Sequence, residues 1–308
     1  MLFQRLTAFV ILSIGSTLAI ASSCDTLIES HRGVGTENSI EGIEAALAGG
    51  FDGVEVDVRT LSDGTWVLHH DETPGDVTET GLREKRIYRM TRDDWDYVYF
   101  KGTKQRPPFL TEALQAFSRS ASPDQHLNLE IKGNVSCPRV GNLVSEAKRY
   151  LKPSQIRISS MRKRTLRCAR SLDTNLYMAL VAMPHKVHLQ EDDRYKIANR
   201  VYKFFTPADM DAHVNDFSAM GGENYNTRNL IEWSARNLAP RAGLHLDARS
   251  LLDYGYAYEA AQREGLEALV AYSLDIPGKQ VQQYREMTDR KILPDAVISD
   301  ASIKNLCQ

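Results

Sequence analysis

Short apolar runs alternate with stretches of helical periodicity along most of the chain. The clearest run is Gly53 to Val58, where Val54, Val56 and Val58 point to one side of an extended strand and Glu55 and Asp57 to the other. Leu27–His31 reads as another short strand, closed by Arg32-Gly33. Further strands are expected at residues 66–70, 127–132, 156–160, 176–181, 244–247, 269–274 and 296–299. Asn38 is expected to head the first helix, with Glu41 three residues on as in a capping box. Ile40, Ile43 and Leu47 then recur at helical spacing, and Gly49-Gly50 stop the helix. Residues 111–118, 162–170 and 254–263 carry similar helical patterns.

Repeated strand-then-helix units imply a parallel sheet, and this many of them in one chain predict a closed (β/α)8 TIM barrel of the α/β class. There are nine candidate strands for eight places, and 244–247 is expected to be the extra one. Residues 184–237 are polar and weakly patterned. No repeat, low-complexity tract or linker marks a second domain, so residues 22–308 are expected to form one barrel.

Composition narrows the partners. The 308 residues carry 38 Lys+Arg against 40 Asp+Glu, a net charge of −2 that offers no broad basic face for a run of phosphates, so nucleic acid is not expected. Arg5 precedes an apolar stretch from Leu6 to Ile20 that is interrupted by polar residues and shorter than a bilayer span. It ends in Ala19-Ile20-Ala21, the pattern of a secretory signal cleaved after Ala21. Secretion or periplasmic export is therefore expected, with no stable membrane span. Lipoprotein anchoring through Cys24 is the lesser alternative. Cys24, Cys137, Cys168 and Cys307 make an even set, and pairings of Cys24 with Cys307 and Cys137 with Cys168 are expected.

The chemistry concentrates at the ends of the early strands, which in a barrel is where active sites form. There lie His31 and Arg32, then Glu55 and Asp57, then His69, His70 and Asp71, then Glu130 and Lys132. Carboxylates on the inner face of a strand covered on both sides need a partner. Glu55, Asp57 and Glu130 could supply an all-oxygen site for a hard cation such as Mg²⁺ or Ca²⁺. Two histidines beside that site could act as general base and general acid, and Arg32 and Lys132 could neutralise phosphoryl oxygens. His69 faces away from His70 and is expected to be structural. Lys132 could alternatively be only the ion-pair partner of Glu130.

The segments HRGVGTENS, GVEVDV, DGTWVLHHD and LNLEIK, in this order, resemble the glycerophosphodiester phosphodiesterase family, relatives of the phosphatidylinositol-specific phospholipases C. PPFLTEAL, IRISS and AVISD extend the resemblance over most of the chain. It implies a barrel of the phospholipase C-like phosphodiesterase type, dependence on one divalent cation, and hydrolysis of small glycerophosphodiesters to glycerol 3-phosphate and an alcohol. By position, it makes His31 and His70 the catalytic pair and Glu55, Asp57 and Glu130 the metal ligands. Arg32 and Lys132 would hold the phosphate, and Glu37 and Asn38 would lie beside the metal or the glycerol. Gly33 would permit a tight turn. The sequence departs from the family at ETPGDVTETG, which lacks the usual arginine after His70-Asp71, and at Tyr272-Ser273-Leu274-Asp275. Both departures concern the pocket that selects the alcohol.

Two other readings share these residues. One is a phospholipase D-like enzyme of the same superfamily acting on sphingo- or lysophospholipids. The other is a non-catalytic phosphodiester-binding protein. A glycosidase using Glu55 and Glu130 would leave both histidines and both cations idle.

Overall fold

The computed structural model describes residues 26–75, 77–182, 227–253, 255–272 and 280–300. The strands are β1 (Leu27–His31), β2 (Gly53–Thr60), β3 (Trp66–Leu68), β4 (Thr78–Glu79), β5 (Tyr99–Phe100), β6 (His126–Ile131), β7 (Ile156–Ser160), β8 (Tyr177–Ala182), β9 (Ala242–Asp247), β10 (Ala268–Tyr272) and β11 (Ala296–Ser299). Strands β1, β2, β6, β7, β8, β9, β10 and β11 pair in parallel in that order, and β11 returns to β1 to close the barrel. The helices are α1 (Ile40–Ala48), α2 (Arg92–Trp95), α3 (Leu110–Ser120), α4 (Cys137–Tyr150), α5 (Lys163–Leu172), α6 (Thr227–Leu238), α7 (Ala248–Asp253), α8 (Ala257–Arg263) and α9 (Gln280–Asp289).

The valines of β2 show why the strands sit where they do. Val54, Val56 and Val58 are fully buried in the layer between sheet and helices. Each contributes about 1.5–3 kcal/mol by leaving water. Alternation then forces Glu55 and Asp57 into the barrel interior. The interior is divided: Tyr177, Ala179, Ala268, Val270, Ala296 and Ile298 form an apolar cluster from β8, β10 and β11. The charged residues gather on β1, β2, β6 and β7.

Three expectations are corrected. Strand β9 at 242–247 is a full barrel member paired with β8 and β10, and the ninth strand is β3. It runs antiparallel to the end of β2, with Val58 opposite Leu68 and Thr60 opposite Trp66. Sequence periodicity does not encode strand direction, so the two could not be told apart. The first helix is capped by Ser39, whose hydroxyl accepts from the Gly42 amide, rather than by Asn38. The pattern at 254–263 forms a helix only over α8, behind the separate short helix α7.

Cys137 and Cys168 form a disulfide between α4 and α5, with Cα atoms 5.4 Å apart. Cys24, Cys307, the expected leader at residues 1–21, residues 183–226 and residues 273–275 lie outside the described residues. Among the described residues no helix is long and apolar enough to cross a membrane.

Candidate active site

Register stacks the site at the C-terminal end of the barrel. His31 lies opposite Glu55, Asp57 opposite Glu130, and Glu130 opposite Ser159. Ligand oxygens of Glu55, Asp57 and Glu130 all lie within 4.8 Å of one another, and all three residues are buried. At such a separation two like charges repel by roughly 3–4 kcal/mol even in an effective dielectric of about 20. Two cations relieve this. The Lys132 ammonium lies 2.7 Å from Glu130 and 3.0 Å from Asp57, and Arg32 Nε lies 3.0 Å from Asp57.

Asp57 receives most of the compensation. Burial pushes its pKa up, but Lys132, Arg32, His70 and the Asn38 amide outweigh this and hold it well below the carboxylate range. Asn38 is spent on this one residue: Nδ2 donates to Asp57 Oδ2 at 2.9 Å, and Oδ1 accepts from the Asp57 amide at 2.9 Å. Its backbone takes a positive φ of 54° to do so. Glu55 is the opposite case. Burial, Asp57 and Glu130 push its carboxyl well above the ordinary range, against Lys132 and Arg32. Its Oε2 meets only a long contact of 3.3 Å from the Arg32 amide, and its buried Oε1 has no hydrogen-bond partner.

An orphaned, buried carboxylate oxygen facing two further carboxylates fits a hard divalent cation. Glu55, Asp57 and Glu130 are therefore the residues able to hold one.

The first loop is shaped by close approach. Gly33 has φ 87°, and a Cβ there would stand 2.6 Å from the Gly42 backbone. This tight turn aims Arg32 inward, where it also meets Glu37 at 3.1 Å. Glu37 thus faces Arg32.

Both histidines are backed by carboxylates. His31 Nδ1 lies 2.8 Å from Asp300, just past β11, and His70 Nδ1 lies 2.8 Å from Asp71. A carboxylate only accepts, so each ring donates from Nδ1 and keeps Nε2 as the nitrogen for proton exchange. Burial and the Arg32 charge hold His70 well below its ordinary pKa, against Asp57, so its ring is neutral near pH 7. His69 is structural, as expected. It is buried, its Nε2 meets the Thr73 carbonyl at 3.1 Å, and it stands edge-on to Trp95. Burial and Arg59 lower its pKa to about 4.

Sequence reasoning did not assign Asp71 and Asp300 roles. The His70-Asp71 pair and the terminal aspartate of AVISD were the available signals. Of the departures from the family pattern, Tyr272 is half-buried and its hydroxyl donates to the Ala182 carbonyl at 3.2 Å.

A closed (β/α)8 barrel with buried carboxylates, two cations and two imidazoles at its C-terminal mouth defines a barrel protein equipped to handle a charged, reactive group. The model of the glycerophosphoryl diester phosphodiesterase family matches residues 30–220, and the chain belongs to that family. A glycerophosphodiester phosphodiesterase from Caldanaerobacter subterraneus subspecies tengcongensis is 30% identical over 163 residues, covering 51% of this chain and 66% of the relative. The matched part of the chain thus spans just under two thirds of that relative's length. Among solved structures, a glycerophosphodiester phosphodiesterase from Agrobacterium tumefaciens superposes with a TM-score of 0.61 at 17% identity, covering 92% and 99% of the two chains. An Oleispira antarctica phosphodiesterase in complex with the product sn-glycerol-3-phosphate has a TM-score of 0.61 at 18% identity, covering 91% and 94%.

Proposed function

We propose that this protein is a divalent-cation-dependent phosphodiesterase that hydrolyses glycerophosphodiesters to glycerol 3-phosphate and an alcohol. The observation that carries the reading is the buried Glu55, Asp57 and Glu130 cluster with an orphaned oxygen, set beside two aspartate-backed histidines. Glu55, Asp57 and Glu130 carry more negative charge than Lys132 and Arg32 can offset, the more so as Arg32 also faces Glu37, and a divalent cation would relieve that excess. The names of the relatives and the product bound to the Oleispira protein support the same substrate class.

When bound, a divalent cation would polarise the phosphoryl oxygens and offset the charge that builds up there. His70, neutral with Nε2 free, takes the proton of the nucleophile, either water or a neighbouring substrate hydroxyl. His31, in its doubly protonated form with Nδ1–H held by Asp300, gives its Nε2 proton to the leaving alkoxide, and exchange with water then returns both rings to their starting states. Asp71 holds the His70 ring in the tautomer whose Nε2 accepts, and Asp300 would stabilise the imidazolium that the acid role of His31 requires. Arg32 and Lys132 lie beside the carboxylates and can turn part of their charge toward the phosphoryl group. Export from the cytoplasm belongs to the same reading, and a disulfide between Cys137 and Cys168 supports it.

The test is release of glycerol 3-phosphate from glycerophosphocholine and glycerophosphoethanolamine, first with chelator and then with added Ca²⁺ or Mg²⁺. Release restored by one ion is expected. Phosphorus NMR of the product separates completed hydrolysis from a cyclic phosphate. His31→Ala and His70→Ala should each slow turnover by about 10²–10⁴-fold. Normal turnover in both folded variants would overturn the assignment of the acid–base pair.

A further inference from the structure

The inner face of β2 runs Gly53, Glu55, Asp57 and then Arg59. Arg59 lies past the carboxylates, where β2 pairs with the returning β3. Its guanidinium forks onto the His70 carbonyl oxygen: Nε donates to it at 2.9 Å, and Nη2 donates to the same oxygen at 2.6 Å. The antiparallel ladder ends at Leu68, and one further bond joins the His69 amide to the Asp57 carbonyl at 3.0 Å. His70 itself stands beyond the ladder.

The geometry matters because of what moves together. Asp71 orients the His70 ring from the adjacent position on the same loop, so whatever fixes the loop backbone fixes both. The Arg59 fork ties that pair to β2, two residues from Asp57 on the same face. We propose that Arg59 is a positioning residue, whose fork on the His70 carbonyl holds the imidazole at a fixed offset from the carboxylate cluster. The inference rests on His70 being the acid–base residue proposed above. A planar guanidinium can place two donors on one oxygen at fixed angles, which a lysine ammonium on a flexible stem does not. A misplacement of about 1 Å can cost about 10²-fold in rate.

The test is a double-mutant cycle with glycerophosphocholine and the activating cation, using Arg59→Ala, His70→Ala and the double variant, with thermal melting to confirm folding. Arg59→Ala is expected to lower kcat about 10²-fold with KM changed less than about 3-fold. Arg59→Lys should recover part of the loss, and free guanidinium should partly rescue Arg59→Ala. The decisive prediction is non-additivity: the double variant should be no slower than His70→Ala, since there is no imidazole left to position. Overturning results would be normal kcat in Arg59→Ala, or a further loss in the His70→Ala background as large as in the native one. Should Arg59→Ala fail to fold, Arg59→Lys and Arg59→Gln carry the same cycle. Normal turnover in His70→Ala would remove the catalytic role of His70 and this inference with it. Slow His70→Ala beside normal Arg59→Ala would sink this inference alone.

Discussion

Two buried charged clusters occupy the same barrel, one layer apart, and the electrostatics of their carboxylates are opposite. In the lower layer Glu29 is fully buried, yet its oxygens meet Arg157 at 2.7 Å, Asn128 at 3.0 Å and His126 at 3.0 Å. Asn128 in turn accepts from Ser159, Arg157 lies over the Tyr177 ring, and Tyr177 meets His245. Burial raises the pKa of Glu29, but His126 and Arg157 outweigh it and hold the carboxyl far below its usual range. Glycine makes room for this layer: a Cβ on Gly53 or Gly243 would collide with His126 or Tyr177. In the upper layer Glu55 has a raised pKa and an unpartnered oxygen. The lower cluster is electrostatically complete and holds the barrel together. The upper one has a carboxylate in excess, which is the signature of a site built for something further.

Single substitutions should separate the two. Glu55→Gln should lower turnover on the order of 10³-fold or more, since a Lewis-acid cation contributes several kcal/mol to the barrier. Thermal melting of the chelated protein should show unchanged or raised stability, because like-charge repulsion is relieved. A large stability loss would mean the upper cluster is structural as well. Glu29→Gln should do the reverse. Leaving Arg157 without its counter-charge should cost about 3–5 kcal/mol in urea unfolding, while turnover per folded molecule stays within a few-fold.

Smaller effects sharpen the contrast. Reducing the Cys137–Cys168 bond, which closes a span of 31 residues, should cost about 2–4 kcal/mol without altering turnover, because α4 and α5 lie outside the barrel. Burial lowers His245 to about 4 from an ordinary 6.5. The unfolded chain then binds the proton more tightly between those values, so acidification from about pH 6.5 to about 4 should destabilise the fold. His245 contributes up to about 1.4 kcal/mol per pH unit to the slope, and the buried His69, also lowered to about 4, adds a similar share. His245→Gln should remove its share of the slope in that window, and an unchanged slope would show that other groups set it.

Much of the barrel was legible because strand periodicity is local. Alternation along 53–58 announced both the packed valines and the inward carboxylates, and the matched motifs brought His31, Glu55, Asp57, His70 and Glu130 to one mouth. Direction and long-range pairing were not legible. Residues 66–68 and 242–247 look alike as short apolar runs, but only the closed sheet shows that the first turns back and the second completes the ring. Asn38 looked like a helix cap because its neighbours fit one, whereas Asp57, nineteen residues away, claims its amide.

The sequence by itself determined which residues are extended, which faces are apolar, and which reactive groups stand at strand ends, since these follow from side-chain chemistry at spacings of two to four residues. Only the tertiary structure decided that Glu29 is satisfied while Glu55 is not, that Asp71 and Asp300 back the two histidines, and that Arg59 grips His70. Those outcomes depend on how charge is compensated through space in a desolvated interior, among groups that lie up to 269 positions apart along the chain.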